Sequence, residues 1–241
     1  MKKLLRLLYQ PYKWLIFGPI LVCATFLFGA LAMGCAALAG PRAASIFGVM
    51  WARLNSWATP MLVKTIGTEN IAKTQSYVIV SNHQSQYDIF VLYGWLGIDF
   101  KWVMKIELRK VPVLGIACEK IGHIFIDRSN TEAALRSLNN AKSKIVDGTS
   151  VIFFPEGTRS KDGNLGRFKK GAFKMALDLG IPILPVTISG TRAILPTKTI
   201  DIFPGRARMT IHPPVNISGY DNGSLKNLMT EVRNIIESVP R

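Results

Sequence analysis

No charged side chain occurs between Trp14 and Pro41. At about 1.5 Å per helical residue, that run is long enough for a bilayer core, which takes about 20 residues. Lys2, Lys3, Arg6 and Lys13 precede it, and such a basic flank stays on the cytoplasmic side. Ala37-Leu38-Ala39-Gly40 has the form of a signal-peptide cleavage site. The apolar region, however, is about twice the length of a signal core, so a retained membrane element is expected.

A second apolar stretch covers residues 43–63 and contains Trp51, Arg53 and Trp57. An arginine at mid-bilayer costs about 2.5–3.5 kcal/mol, so tryptophans flanking Arg53 suit an interfacial helix better than a second span. Gly40-Pro41-Arg42 is a natural turning point between the two stretches. Residues 1–63 are therefore expected to form a two-helix membrane element, dipping into one leaflet or folding as a hairpin, and residues 64–241 a separate body.

The body alternates short apolar runs with helical patterns. Strands are expected at 77–80, 124–126, 151–154, 183–188 and 209–212. Helices are expected at 89–96, 131–147, 170–179 and 224–239, the last with Leu225, Leu228, Val232, Ile235 and Ile236 at helical spacing. This alternation predicts an α/β fold: a mixed, largely parallel sheet flanked by helices. The chain carries 30 Lys and Arg against 15 Asp and Glu, a net charge of +15. That balance implies an anionic partner. Nucleic acid is not expected, because no paired-cysteine finger or aromatic ribonucleoprotein signature occurs. The three cysteines, Cys23, Cys35 and Cys118, have neither metal-site nor disulfide spacing.

Two short segments carry chemistry. In the first, His83 follows a strand and Asp88 comes five residues later. Ser85-x-x-Asp88 matches a helix-start capping box with Asp in place of Glu. This puts Asp88 in the first helical turn and His83 on the loop before it, where the carboxylate can reach back to the imidazole. A histidine held in this way can take a proton from an attacking hydroxyl. The same pair also fits a purely structural histidine beside a helix cap. The second segment, Phe154-Pro155-Glu156-Gly157-Thr158-Arg159-Ser160, leaves another strand. Gly157 permits a tight turn with positive φ, and Arg159 offers a planar fork suited to phosphate oxygens. Glu156 can bond a hydroxyl or hold Arg159. Lys161, Arg167, Lys169, Lys170 and Lys174 make the surroundings positive.

Together these segments resemble the glycerolipid acyltransferase family, most nearly its bacterial lysophosphatidic acid acyltransferases. Asn82 to Asp88 resembles the family's catalytic motif, and Phe154 to Ser160 its glycerol-phosphate motif. Lys105-x-Glu107-Leu108-x3-Pro112-x2-Gly115 and the run from Ile183 to Ile188 resemble two further motifs, in the family's order. The resemblance implies acyl transfer from a thioester to the sn-2 hydroxyl of 1-acyl-sn-glycerol 3-phosphate, giving phosphatidic acid. His83 would be the base and Asp88 its support. Arg159, helped by Lys105, would hold the phosphate, while Glu156, Gly157 and Thr158 would shape the acceptor pocket. The co-substrate would be acyl-CoA or acyl-acyl carrier protein, with no other cofactor and no metal. Anionic membrane lipid would be a further partner. The expected location is the inner membrane, with the body returned to the cytoplasmic face.

Other readings remain open. A sibling enzyme would use glycerol 3-phosphate, another lysophospholipid or an aminoacyl lipid. A non-catalytic lipid-binding protein would need no working His83–Asp88 pair. A lipase would need a Gly-x-Ser-x-Gly elbow, which the sequence lacks. Gly166-x4-Gly171 lacks the Lys and Ser/Thr of a nucleotide-binding loop. His123 and His212 are expected to be structural.

Overall fold

The computed structural model describes Leu7 and residues 9–240. Lys2, Lys3 and Arg6 of the expected basic flank lie outside the described residues. The first long element, α1 (Gly18–Ala58), is broken at Gly40, whose φ of 87° and ψ of 168° are not helical. Only glycine adopts that conformation without strain. Pro41 then opens the second arm, where its missing N–H costs nothing. The chain doubles back here, because Trp51 Nε1 donates to Thr25 Oγ1 at 3.0 Å. In an unbroken helix those residues would stand about 39 Å apart. At the base of the hairpin, Tyr12 Oη donates to the Ala58 carbonyl at 2.8 Å.

The hairpin lies against the body along its whole length. A Cβ on Gly29 would fall 2.5 Å from Val113 Cγ1, and one on Gly48 2.3 Å from the Tyr93 ring. Both glycines thus let the helices approach closely. Arg53, awkward for a membrane helix, donates its Nε to the Gly94 carbonyl at 2.8 Å. Gly94 lies in the last turn of α2 (Tyr87–Trp95), where carbonyls lack helical partners. Near the tip, Arg42 donates to the Asp147 carbonyl at 2.8 Å. The outward face is apolar, with Val22, Phe26, Leu38, Ile46, Met50 and Trp57 exposed.

Seven strands form one sheet: β1 (Met61–Ile66), β2 (Val78–Ser81), β3 (Phe100–Lys105), β4 (Ile124–Ile126), β5 (Ser150–Phe153), β6 (Ile183–Ser189) and β7 (Gly205–Ile211). Their order is β1-β7-β6-β2-β5-β3-β4. Every pairing is parallel except β6 with β7. The sheet is therefore mixed and largely parallel, as the sequence predicts. Side chains alternate between its faces. Ile79, Ile152 and Leu184 pack under α2 and the hairpin. Val78, Val80, Val151 and Ile183 pack under α5 (Gly171–Leu179) and α7 (Leu225–Glu237).

The five expected strands occur, with ends shifted by a few residues, and β1 and β3 are additional. β1 straddles the expected division between residues 63 and 64. The helix ends at Ala58 and the sheet begins at Met61, so the last part of the presumed interfacial segment is strand. The helix expected over 131–147 stops sooner, as α4 (Thr131–Ala141), followed by a 3-10 turn at Lys142–Lys144.

His123 and His212 are both buried, and His212 Nε2 shares a 2.9 Å hydrogen bond with Thr187. His123 Nδ1 accepts the Trp102 N–H at 3.3 Å, so its proton sits on Nε2, 3.3 Å from Tyr93 Oη. Burial, reinforced by Lys101 and Lys144, pushes this imidazole down from 6.5 to about 3. The unfolded chain thus binds the proton first as pH falls. The stability this neutral ring contributes is complete above pH 6.5 and is lost progressively between 6.5 and about 3. We expect the urea midpoint to fall between pH 7 and pH 4. His123→Gln should be less stable at pH 7 but show a flatter pH dependence; parallel slopes for the two proteins would contradict this assignment.

Candidate active site

β2 lies between β6 and β5 and is parallel to both. The C-terminal ends of β6, β2, β5 and β3 therefore open on one edge, where open α/β sheets hold their ligands. Asn82 leaves β2 and continues its pairing by side chain. Its Oδ1 accepts the Ile188 N–H at 2.7 Å and its Nδ2 donates to the Ile188 carbonyl at 2.9 Å. Gln84 Nε2 donates to the same carbonyl at 2.6 Å. The loop bearing His83 is thereby fastened to β6.

His83 Nδ1 lies 2.8 Å from Asp88 Oδ2. That oxygen also accepts the backbone N–H groups of Gln84 at 2.7 Å and Ser85 at 2.9 Å. Backbone N–H groups can only donate, so Oδ2 is an acceptor and Nδ1 carries the proton. The basic lone pair then sits on Nε2, which has no hydrogen-bond partner among the described residues. Half of the expected capping box is present, with Asp88 receiving the Ser85 N–H. The Ser85 hydroxyl instead accepts the Tyr87 N–H at 3.2 Å and donates to the Leu195 carbonyl at 2.8 Å. The imidazole stacks on Phe154, with centroids 3.8 Å apart and planes within 10°. Its side chain is 14% exposed, while that of Asp88 is fully buried.

The second segment meets the first through the backbone. Glu156 Oε1 accepts the His83 N–H at 2.8 Å and Oε2 accepts the Gly166 N–H at 2.7 Å. Ser160 N–H donates to the His83 carbonyl at 2.8 Å. His83 is thus held by Asp88 at its ring and by Glu156 at its backbone. Gly157 has φ of 74°, and a Cβ there would meet the Lys169 amine at 2.8 Å. Arg128 braces the turn by donating to the Gly157 carbonyl at 2.6 Å. Farther on, hydrogen bonds from Asn164 and Ser160 hold the Asp162 carboxyl down at about 2. Arg192 clasps the same loop through the Lys161 and Asp162 carbonyls.

Among the candidates, His83, Asp88, Glu156 and Gly157 come together. Arg159 is half-buried and makes no hydrogen bond or ion pair among the described residues, leaving its guanidinium available to an anion. Thr158 is exposed. Lys105 stands at the end of β3 on the same edge, with a 3.5 Å contact to Glu107. Arg128, Arg192 and Thr191 also contribute, and none had been given a role from sequence. Among the described residues, no group of three or more His, Cys, Asp or Glu could hold a metal ion.

A histidine whose Nδ1–H is held by a buried carboxylate, with no serine hydroxyl or thiol bonded to its Nε2 among the described residues, is an arrangement that can take a proton from a hydroxyl the substrate brings. The family model described as Acyltransferase matches residues 62–189, from β1 to the end of β6. A Brassica napus protein named 1-acyl-sn-glycerol-3-phosphate acyltransferase BAT2, chloroplastic, is 38% identical over 70% of this chain and 50% of its own length. A Limnanthes alba 1-acyl-sn-glycerol-3-phosphate acyltransferase is 32% identical over 80% of this chain and 69% of its own. The crystal structure of the 1-acyl-sn-glycerophosphate (LPA) acyltransferase PlsC from Thermotoga maritima superposes with a TM-score of 0.81 at 28% identity. The match covers 99% of this chain and 95% of that one. The chain belongs to the acyltransferase family. It spans about half the length of the Brassica and Arabidopsis relatives it matches.

Asp88→Ala would leave two backbone N–H groups, Nδ1–H and a hydroxyl facing a void. Its expected cost is on the order of 3 kcal/mol, or roughly 6–12 °C in Tm. Asp88→Asn keeps an oxygen toward the loop N–H groups and should melt within about 1 kcal/mol of the parent. Equal melting of the alanine variant and the parent in a thermal scan would contradict this account of the loop.

Proposed function

We propose that the protein transfers a fatty acyl group from an acyl thioester to the sn-2 hydroxyl of 1-acyl-sn-glycerol 3-phosphate, giving phosphatidic acid. The observation that carries this reading is the unpartnered Nε2 of His83, whose other nitrogen is fixed by Asp88. Nε2 takes the proton of the acceptor hydroxyl as its oxygen bonds to the thioester carbonyl carbon. Collapse of the tetrahedral adduct breaks the C–S bond, and the leaving thiolate takes the proton from the imidazolium. No acyl-enzyme forms. Asp88 orients the ring and stabilises its charged form. Arg159 binds the acceptor phosphate with Lys105 nearby, and Glu156, Gly157 and Thr158 shape the acceptor end of the site. The acyl donor is coenzyme A or acyl carrier protein, both of which present the same type of thioester.

Purified protein in lipid would be given labelled acyl-CoA and acyl-acyl carrier protein, separately, with lysophosphatidic acid. Phosphatidic acid should appear with at least one donor. His83→Ala should lower the rate by about 10²–10⁴-fold. Arg159→Ala should lower kcat/KM for the lysolipid by roughly 10- to 150-fold. No product from either donor in folded protein would redirect the reading to a sibling acceptor or to lipid binding.

The N-terminal hairpin is the proposed membrane anchor, and residues 61–241 the catalytic body. Lys13 at its base donates to the Ile200 carbonyl and Arg42 at its tip to the Asp147 carbonyl, so one face stays against protein while the apolar outer face meets lipid. That arrangement favours insertion into one leaflet over a crossing. The cationic surface adds attraction to anionic lipid, at about 1 kcal/mol per well-placed Lys or Arg. A single-leaflet anchor keeps the body on the cytoplasmic face of the inner membrane, where the thioesters are. Protease added to sealed inverted vesicles should therefore remove a C-terminal tag, and protection of that tag would overturn this orientation.

A further inference from the structure

Asp88 has two oxygens, and the ring of His83 uses only one. Oδ2 receives Nδ1–H and two backbone N–H groups. Oδ1 receives the hydroxyl of Thr191 at 2.5 Å, from 103 residues away in sequence. Both Asp88 and Thr191 are fully buried. We infer that Thr191 is a positioning residue, which sets the rotation of the Asp88 carboxylate and through it the aim of the His83 ring.

The fold delivers this hydroxyl rigidly. Thr191 opens α6 (Thr191–Ile194) directly after β6 and Gly190. Gly190 has φ of 86°, and a Cβ there would lie 2.2 Å from the Arg206 carbonyl oxygen, so the turn is restricted to glycine. β6 is itself pinned to the His83 loop by the two hydrogen bonds between Asn82 and Ile188. At the other end of α6, Leu195 receives the Ser85 hydroxyl through its carbonyl. The span from the β6 end to Asp88 is therefore fixed at both sides. The branched Cβ of threonine limits χ1 and adds a second constraint.

Without the hydroxyl, Oδ1 is a buried acceptor with no donor. The carboxylate then gains by turning about Cβ–Cγ toward any remaining donor, and that rotation draws Oδ2 off Nδ1. The ring keeps its Phe154 stack but loses the bond that fixes its tautomer. Substrate contacts are untouched, so the loss falls on turnover and not on acceptor binding.

The inference rests on the acyl-transfer reading of His83. Full-length protein in lipid would be assayed as parent, Thr191→Ser, Thr191→Val and Thr191→Ala, with thermal midpoints recorded for each. Absence of transfer by the parent would fail the acyl-transfer reading itself. Given parental transfer, the valine variant should lose about 10- to 100-fold in kcat with KM for the lysolipid within about twofold. Serine should restore kcat to within a few-fold of the parent. In a His83→Ala background, Thr191→Val should change the residual rate less than twofold, because there is no ring left to aim. The ¹H resonance of the His83 Nδ1 proton should be present in the parent and serine proteins and lost from the valine protein. Should valine prevent folding, alanine against serine makes the same comparison. A serine variant as slow as the valine or alanine variant would overturn the inference. So would an equal loss in the His83→Ala background, or a loss expressed in KM alone.

Discussion

The active edge is organised by two buried carboxylates whose lone pairs go mostly to the backbone. A buried carboxylate is costly unless it is hydrogen-bonded on several sides. Asp88 meets that demand with donors from the His83 loop and from the turn after β6. Glu156 receives the His83 N–H and the Gly166 N–H. One residue therefore has its ring fixed from one side and its main chain from the other. The loop between β2 and α2 has little freedom left, which suits the proposed role of His83 as a base that meets a substrate hydroxyl without first being ordered.

Much of this was legible in the sequence, for identifiable reasons. β2, β4, β5 and β6 are short runs of β-branched or aromatic residues bounded by turns, and such runs announce themselves. The Ser85–Asp88 spacing located Asp88 in the first turn of α2 and thus within reach of His83. β1 and β3 were not read. Met61–Ile66 continues an apolar stretch that looks interfacial, and Phe100–Lys105 carries Lys101, which suggests exposure. In the fold Lys101 is buried and pairs with Asp99 at 3.0 Å. No local signal announces such a partner before the strand is placed. Glu156 offered two roles on paper, and its backbone bonds depend on Gly166 lying beside it, which is a property of the loop path. Thr191 is more remote still. Nothing in Gly190-Thr191-Arg192 points to a carboxylate at residue 88, because that contact exists only once β6 lies beside β2.

The N-terminal hairpin shows how a conflict in composition was resolved by the fold. Arg53 weighs against a buried membrane helix, yet it finds a helix-end carbonyl at Gly94 and the face of Trp95, 5.9 Å from its guanidinium carbon. The glycines at 29 and 48 supply the close approach that seats the hairpin on Val113 and Tyr93. One face is thus committed to the body and the other left apolar.

The pairing of β1 with β7 has a consequence for how the chain is made. β1 follows the hairpin directly, yet its sheet partner spans residues 205–211. A growing chain folds by units as they emerge, and contacts distant in sequence come late. The hairpin is synthesised well before the strand that locks its neighbour into the sheet. In the proposed anchoring role it settles in lipid while the rest of the chain is still leaving the ribosome, and the sheet then closes against a strand that follows a segment already placed. With the hairpin as the proposed anchor, assembly of the body becomes a step that takes place at the membrane, templated by a segment already in place.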